Sequence, residues 1–374
     1  LTPARLSQHE GTDMAEKKAT RAQKMMHELN KAHGKNTFVG ARDVSANVKA
    51  YVDTNIPVLN VLLSGSATRG MATGRIYELY GEEHVGKTTI GCGIIARCQR
   101  EQDGLGCLID TESTLTHERM QTLGIVDDSL LCCEEVFAES IIEQIETVVE
   151  KCGKHKAVIF WDTVAATRSK SLLGSAIGRG RRGALATVMS EGMTILSKLI
   201  SRSNCVLIAC NQLRDGGIDG NPFHTKRELE STKGGRALKY HAAARIKMEY
   251  GSDYYRMVKG VKVHYGMVVN VVTFKNKFAP NDVDAKLVFQ SKGKGSGNFN
   301  SALSCLHTLQ RWGVLPRKVD ANGRINFNDE KLTIGTWETK YNEDKKFRDK
   351  VHEALERHFS ETFRGVPYGI EEGT

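Results

Sequence analysis

No stretch of this chain approaches the roughly 18 consecutive apolar residues that a membrane-spanning helix needs, so the sequence predicts no such helix. Nor does a C-x-x-C pair occur among its nine cysteines, an odd number with Cys132 and Cys133 adjacent. That argues against a zinc site and against a closed disulfide framework. Cys107, Cys205 and Cys210 sit in apolar, strand-like runs and read as small core residues of a reducing compartment. No secretory leader is visible, because the first residues are polar and mixed in charge. The expected location is the cytoplasm. The first residue is Leu, so a start either upstream or at Met14 is expected. There is no internal repeat of fixed period, which removes the solenoids.

What is present is an ordinary globular chain of 374 residues, 40% hydrophobic, with a formal net charge of +9. That length holds one large domain or two moderate ones. The positive balance favours a polyanionic partner. Residues 1 to about 35 are polar, with one short helix expected over Lys24–Lys31. Beyond residue 51 the pattern is α/β. Apolar runs at Gly106–Asp110, Ala157–Asp162 and Cys205–Asn211 alternate with helical stretches at 87–102, 139–152 and 185–203. Met189, Met193, Leu196 and Ile200 share one face of the last helix and read as core. Strand–helix–strand alternation predicts a parallel sheet. The runs Ala244–Tyr250, Met267–Phe274 and Ala285–Gln290 lack intervening helices and predict antiparallel strands added to it. A turn at 292–297, a helix at about 301–311, a hairpin region at about 314–338 and a helix at about 344–359 complete the chain.

Gly81-Glu82-Glu83-His84-Val85-Gly86-Lys87-Thr88 fits the phosphate-cradling P-loop. The strand-like run Ile76–Tyr80 precedes it, and a helix opens at Thr89. Glycines let backbone N–H groups close on phosphate oxygens, and the helix N-terminus adds positive potential. Lys87 is placed to reach the β- and γ-phosphates, and the Thr88 hydroxyl to ligate Mg²⁺. Val158–Asp162 is an apolar strand ending in a carboxylate, where such enzymes keep the Asp that holds Mg²⁺ through water. Leu108–Glu112 ends in two carboxylates. Glu112 is the candidate to polarise an attacking water and Asp110 a structural one; turn charges are the alternative.

These pieces, followed by Cys210-Asn211-Gln212-Leu213-Arg214, resemble the RecA-type recombinases in residue type and order. Thr232–Tyr240, with its G-G-x-A-L-K core, and Phe274–Pro280, with K-N-K-x-A-P, extend the resemblance over about residues 50 to 300. Both are far more specific than a P-loop, and separate the chain from helicases and transporters. The resemblance implies an α/β fold: a RecA-like P-loop ATPase core with a mostly parallel central sheet at 51–299. It implies an N-terminal polymerisation segment at 1–50 and a small α+β C-terminal domain at 300–374. It implies ATP and Mg²⁺ as cofactors, and single- and double-stranded DNA as partners. It further implies self-association into a helical filament, with single-strand-binding and mediator proteins as helpers.

By the same resemblance Glu112 activates water, Gln212 senses the γ-phosphate, and Lys275 and Lys277 reach the ATP of a neighbouring subunit. Two loops would face DNA: residues 169–183, with Lys170, Arg179, Arg181 and Arg182, and residues 215–233, with Lys226, Arg227 and Lys233. Ile218 and Phe223 are candidates to wedge between bases. Phe38-Val39-Gly40-Ala41 fits a four-residue polymerisation element in which Phe38 and Ala41 engage the next subunit; an intramolecular anchor is the alternative. The chain also departs from the family. Arg119 stands where an aromatic residue usually stacks on adenine, and Thr163 replaces a more usual serine. The second loop is longer than the bacterial pattern, and no long acidic tail is present. Lys346–Lys350 looks closer to the phage UvsX branch. A helicase-like motor on the same core, and an ATP-binding mediator that does not hydrolyse, are the competing functional readings.

Overall fold

The computed structural model describes residues 20–34, 37–40, 47–172, 183–214, 231–232, 236–293, 295–317, 320 and 323–365. Two compact units divide the chain, Leu1–Asn47 and Val48–Thr374. In the first, α1 (Arg21–His33) starts with a capping box in which Thr20 and Gln23 satisfy each other's backbone N–H. No residue of α1 is buried. Just after it, the Asn30 side chain pairs with both backbone groups of Phe38, at 2.7 Å each, and Phe38 is 42% exposed. Ala41 lies outside the described residues.

In chain order the second unit opens with β1 (Tyr51–Val52), α2 (Pro57–Ser64), β2 (Met71–Ala72), β3 (Arg75–Gly81), α3 (Lys87–Glu101) and β4 (Leu105–Asp110). Next come α4 (His117–Thr122), β5 (Leu130–Cys133), α5 (Ala138–Cys152), β6 (Ala157–Asp162), α6 (Ala184–Ser201) and β7 (Cys205–Arg214). β8 (Ser231–Thr232), α7 (Ala237–His241), β9 (Ala244–Val258), β10 (Val261–Asn276), β11 (Val283–Gln290) and β12 (Asn298–Phe299) follow. The chain then gives α8 (Ser301–Arg311), β13 (Arg324–Phe327), β14 (Glu330–Thr333), α9 (Ile334–Glu343) and α10 (Lys345–His358).

The central sheet runs β12-β11-β10-β9-β3-β7-β6-β4-β5, with β8 paired to β7. β5, β4, β6, β7, β3 and β9 are parallel, while β10, β11 and β12 add on antiparallel. The mostly parallel RecA-like core is therefore present, and the three late apolar runs do extend the sheet, but the first of them, expected to be antiparallel, forms β9 and joins parallel to β3. Their strands are longer than the runs: β9 and β10 continue as a two-stranded ribbon past Tyr250, where exposed Tyr255, Met257 and Val261 give no buried alternation to read.

Burial on both faces explains the continuous apolar runs of β6 and β7. Side chains alternate between two cores. Leu108, Val158, Phe160, Val206 and Ile208 join α3 on one face; Ile109, Ile159, Trp161, Leu207 and Ala209 join α5 and α6 on the other. Met189, Met193, Leu196 and Ile200 are wholly buried there. Parallel strands bring the C-terminal ends of β3, β4, β6 and β7 to one edge, which is where open α/β sheets bind ligands.

α8 is capped by the Asn300 side chain and packs on α2 and β11. Leu303, Leu306, Trp337, Val351 and Phe359 lie in the same buried cluster as Leu59 and Val269. Trp337 is wholly buried, packs edge-on against Phe327 and Phe347, and donates its indole N–H to the Ala302 carbonyl at 2.8 Å. Trp337→Ala is expected to cost about 3–5 kcal/mol. Because that cluster is continuous with the sheet's, calorimetry should show one transition moved down, not a second small transition splitting off.

Candidate active site

The P-loop leaves the sheet where nothing larger than glycine fits. A Cβ on Gly81 would lie 1.9 Å from the Met248 carbonyl oxygen, and its φ is +151°. Gly86 turns the chain into α3 at φ +87°, against the Phe299 ring. Val85 is buried beneath the loop, while Glu82, Glu83 and His84 are exposed. Glu82 is drawn sideways: its carboxylate accepts the Tyr250 backbone N–H at 2.8 Å. Lys87 is buried, and its ammonium donates to the Gly81 carbonyl at 3.3 Å and to the Glu82 carbonyl. The loop thus holds its lysine folded back on itself.

A cavity of about 480 Å³ opens over this loop. Glu83, His84, Gly86, Lys87, Thr88, Thr89, Glu112, Asp162, Thr163, Cys210, Gln212 and Phe289 line it. Glu112, Lys87, Thr88, Asp162 and Gln212 therefore meet in one place although the first turn of α3, the turn after β4, the end of β6 and β7 supply them from distant parts of the sequence. The Thr88 hydroxyl donates to Asp162 Oδ2 at 2.6 Å. These two hard oxygens suit Mg²⁺, which takes few protein ligands and completes its shell with phosphate oxygens and water. Among the described residues no group of three His, Cys, Asp or Glu forms a metal cage.

Asp110 has a different task. It accepts backbone N–H groups of Glu112, Thr114 and Leu115 at 3.2, 2.9 and 3.0 Å, and so shapes the turn that carries Glu112 into the cavity. Burial, followed by the nearby Asp162 and Asp110 charges, pushes the Glu112 carboxyl above its ordinary range. Burial likewise raises Asp162, against opposing hydrogen bonds from Thr88 and Cys210. The cavity is thus an acidic cluster short of cations.

Arg119 donates to the Thr89 hydroxyl at 3.2 Å and to the Gly297 carbonyl at 2.8 Å, bridging α4, α3 and the turn before β12. It does not line the cavity. Neither do Lys275 and Lys277. Lys275 donates to the Lys239 and Tyr240 carbonyls at the end of α7, 2.8 Å each. Burial, then Lys277 and Arg245, pull its ammonium down to about 8. Lys170 is exposed in a short turn held by Glu139, which accepts its backbone N–H. Arg179, Arg181, Arg182, Ile218, Phe223, Lys226, Arg227 and Lys233 lie outside the described residues. The motifs missed Phe289, which lines the cavity, and Phe299, which meets it edge-on at 5.5 Å and packs on Gly86. They come from the antiparallel strands, and nothing in local spacing ties them to a P-loop.

A family model described as the RecA N-terminal domain matches residues 20–293. The chain belongs to the RecA family of recombination proteins. It is 31% identical over 286 residues to the RecA protein of Acinetobacter baumannii, covering 76% of each chain. It is 28% identical over 344 residues to that of a Nostoc species, covering 89% of this chain and 88% of the relative. The match to the RecA protein of Arthrospira platensis is 28% over 322 residues, 83% and 79% of the two chains. No helix among the described residues is long and apolar enough to cross a membrane.

Lys87→Ala removes the only cation lining the cavity among the described residues. Binding of a fluorescent nucleotide analogue should weaken by at least tenfold, the loss expected for one charge-assisted contact of about 1.5–3 kcal/mol. Wild-type affinity in this variant would mean that phosphates bind elsewhere.

Proposed function

We propose that this chain is a DNA-dependent, Mg²⁺-requiring ATPase that polymerises on single-stranded DNA and promotes pairing and strand exchange. The observation that carries the reading is the meeting of Lys87, Thr88, Asp162, Glu112 and Gln212 around one cavity. In this reading Gly86 and the first turn of α3 cradle the β-phosphate through backbone N–H groups, and Lys87 releases the loop carbonyls to hold the terminal phosphates. Thr88 and Asp162 would hold Mg²⁺, which supplies charge neutralisation across the β- and γ-phosphates. Glu112 takes the proton of an attacking water held against the γ-phosphate. The base would extend past Thr89, where a neighbouring space of about 290 Å³ is lined by Thr89, Thr122, Leu123, Asn298 and Phe299. Arg119 borders that end as a strut, and a stacking role would require it to leave Thr89 and Gly297.

Lys275 and Lys277 do not line their own cavity and are half-buried and exposed, respectively. We assign them to the nucleotide of the next protomer, with residues 1–50, including Phe38 and Ala41, as the other subunit contact. The basic segments at 169–183 and 215–233 are the proposed DNA contacts, with 300–374 as a small C-terminal domain packed on the core of the same protomer. A cytoplasmic location, a phage source and single-strand-binding and mediator partners belong to the same proposal. An intact carboxylate set at the γ-phosphate end favours hydrolysis over a mediator that only binds ATP. The deciding experiment is ATP turnover with and without single-stranded DNA, alongside electron microscopy of the assembly. An open helix with stimulated turnover supports the reading; a closed ring, or turnover indifferent to DNA, overturns it.

Glu112→Gln should slow hydrolysis by about 10²-fold or more while nucleotide binding persists. A base must be ionised, and the Glu112 carboxyl is raised. Wild-type turnover should therefore fall on acidification at a pH above the ordinary carboxylate range. The stability sign is opposite. With the folded-state pKa above the unfolded one, this group favours folding below the unfolded value and loses that contribution as pH rises through the folded value. At neutral pH the Gln variant should then unfold at the same or a higher temperature than wild type. A pH–rate profile and a thermal melt check both halves.

Lys275→Ala with Lys277→Ala should leave nucleotide binding to isolated subunits intact and suppress DNA-stimulated hydrolysis. Mixing that double variant with Glu112→Gln subunits, each inactive alone, should restore part of the activity. Mixtures that co-assemble on DNA yet stay as inactive as either parent would remove the neighbour-acting role.

A further inference from the structure

β3 carries a carboxylate that nucleotide binding does not use. Glu78 is wholly buried. Its Oε1 accepts from Asn211 Nδ2 at 3.3 Å and from the Thr232 hydroxyl at 2.9 Å, and its Oε2 from Arg245 Nε. The Arg245 guanidinium also lies over the Tyr80 ring, 4.5 Å from its centroid. The three donors come from β7, β8 and β9, so one side chain on the P-loop strand ties three strands together. A buried ion pair is costly, and apolar residues of similar volume often serve stability better. Neighbouring positions of β3, such as Tyr77 and Leu79, are plain core.

Asn211 gives the arrangement a direction. While its Nδ2 reaches Glu78, its Oδ1 accepts the backbone N–H of Gln212 at 3.1 Å. That peptide sets the Gln212 side chain at the cavity. On the other side, Thr232 pairs with Leu213 where β8 meets β7. The same two strands are thus joined twice, once through backbone and once through the carboxylate.

We propose that Glu78 is a positioning residue that sets Gln212 in the nucleotide cavity and ties that setting to the β7–β8 pairing through the Thr232 hydroxyl. The proposal rests on Gln212 contacting the γ-phosphate. A shift of Thr232 removes one of three donors, the carboxylate turns toward the remaining two, and Asn211 carries the change to the Gln212 peptide. By linkage the effect is reciprocal: a γ-phosphate that draws Gln212 inward also biases the β7–β8 pairing.

The test is the ratio of affinities of the full-length chain for a non-hydrolysable ATP analogue and for ADP, in four variants. Gln212→Ala is the reference. Glu78→Gln keeps the shape and removes the charge, and Thr232→Val removes only the hydroxyl, so it guards against a Glu78 variant that fails to fold. Thr232→Ser restores the hydroxyl. The first three should lose about fivefold or more of the preference for the analogue, the scale of one hydrogen bond. ADP affinity should stay at wild type, and Thr232→Ser should keep the wild-type ratio. A folded Thr232→Val protein with the wild-type ratio, beside a Gln212→Ala protein that has lost it, overturns the proposal. So does a Thr232→Ser protein that behaves like Thr232→Val. If Gln212→Ala itself keeps the ratio, the γ-phosphate role of Gln212 falls, and this proposal falls with it.

Discussion

β3 is the strand on which the site depends, because parallel neighbours hold it on both sides. β7 pairs with it from Arg75 to Gly81, and β9 from Tyr77 to Gly81. At Gly81 the Met248 carbonyl closes so near that no side chain fits, and the backbone must turn out of the sheet. The P-loop begins there because the sheet ends there for this strand. α3 then runs back along the sheet with Ile90, Ile94 and Ile95 buried in the core. Loop geometry is therefore fixed from below by packing and from the side by ladder hydrogen bonds. The backbone of a loop built in this way is preorganised, and only the Lys87 side chain, resting on the loop's own carbonyls, has to move for a phosphate to bind there.

The acidic residues follow from the same geometry. Registered parallel strands place Asp110 beside Asp162. Two carboxylates at one sheet edge repel, and each finds a different solution. Asp110 satisfies itself with three backbone N–H groups, and Asp162 with the Thr88 hydroxyl. Glu112, one turn further out, has no comparable set of donors, and burial with its neighbours' charges raises its carboxyl. Environment thus separates three chemically similar groups: Asp110 forms a turn, while Asp162 and Glu112 are left with the settings that the proposed oxygen ligand and base require.

Much of this was legible in the sequence where chemistry and periodicity coincide. The P-loop, the apolar strand ending in Asp162 and the stripe of Met189, Met193, Leu196 and Ile200 each carry a local signal. Parallel strands buried on two faces also give long apolar runs that stand out. The remainder has no local signature. Phe289 and Phe299 reach the site only because β11 and β12 fold across it. Arg119 reads as an aromatic substitute, yet its hydrogen bonds go to Thr89 and Gly297, a partner set that only tertiary structure supplies. The first half of α9 falls in the region that reads as a hairpin, because Thr333 ends β14 and caps the helix in the same residue. Glu78 lies within a strand-like apolar run, and its three donors come from strands far off in the sequence.

Charge balance gives the last step. Around the cavity the acids Glu83, Glu112 and Asp162 face one lining cation among the described residues, Lys87. A triphosphate adds further negative charge to this same space, so the isolated protomer is electrostatically incomplete for the chemistry its carboxylates suit. In the function proposed above, that charge is met by a divalent ion at Thr88 and Asp162 and by cations of the next protomer. Lys275 is suited to the second task. Its ammonium rests on the Lys239 and Tyr240 carbonyls beside its like-charged neighbours Lys277 and Arg245, and its proton is held less firmly than an ordinary lysine's. A phosphate approaching from the next protomer would relieve that repulsion and restore its full charge. On that proposal, assembly and the completion of the site are one electrostatic event.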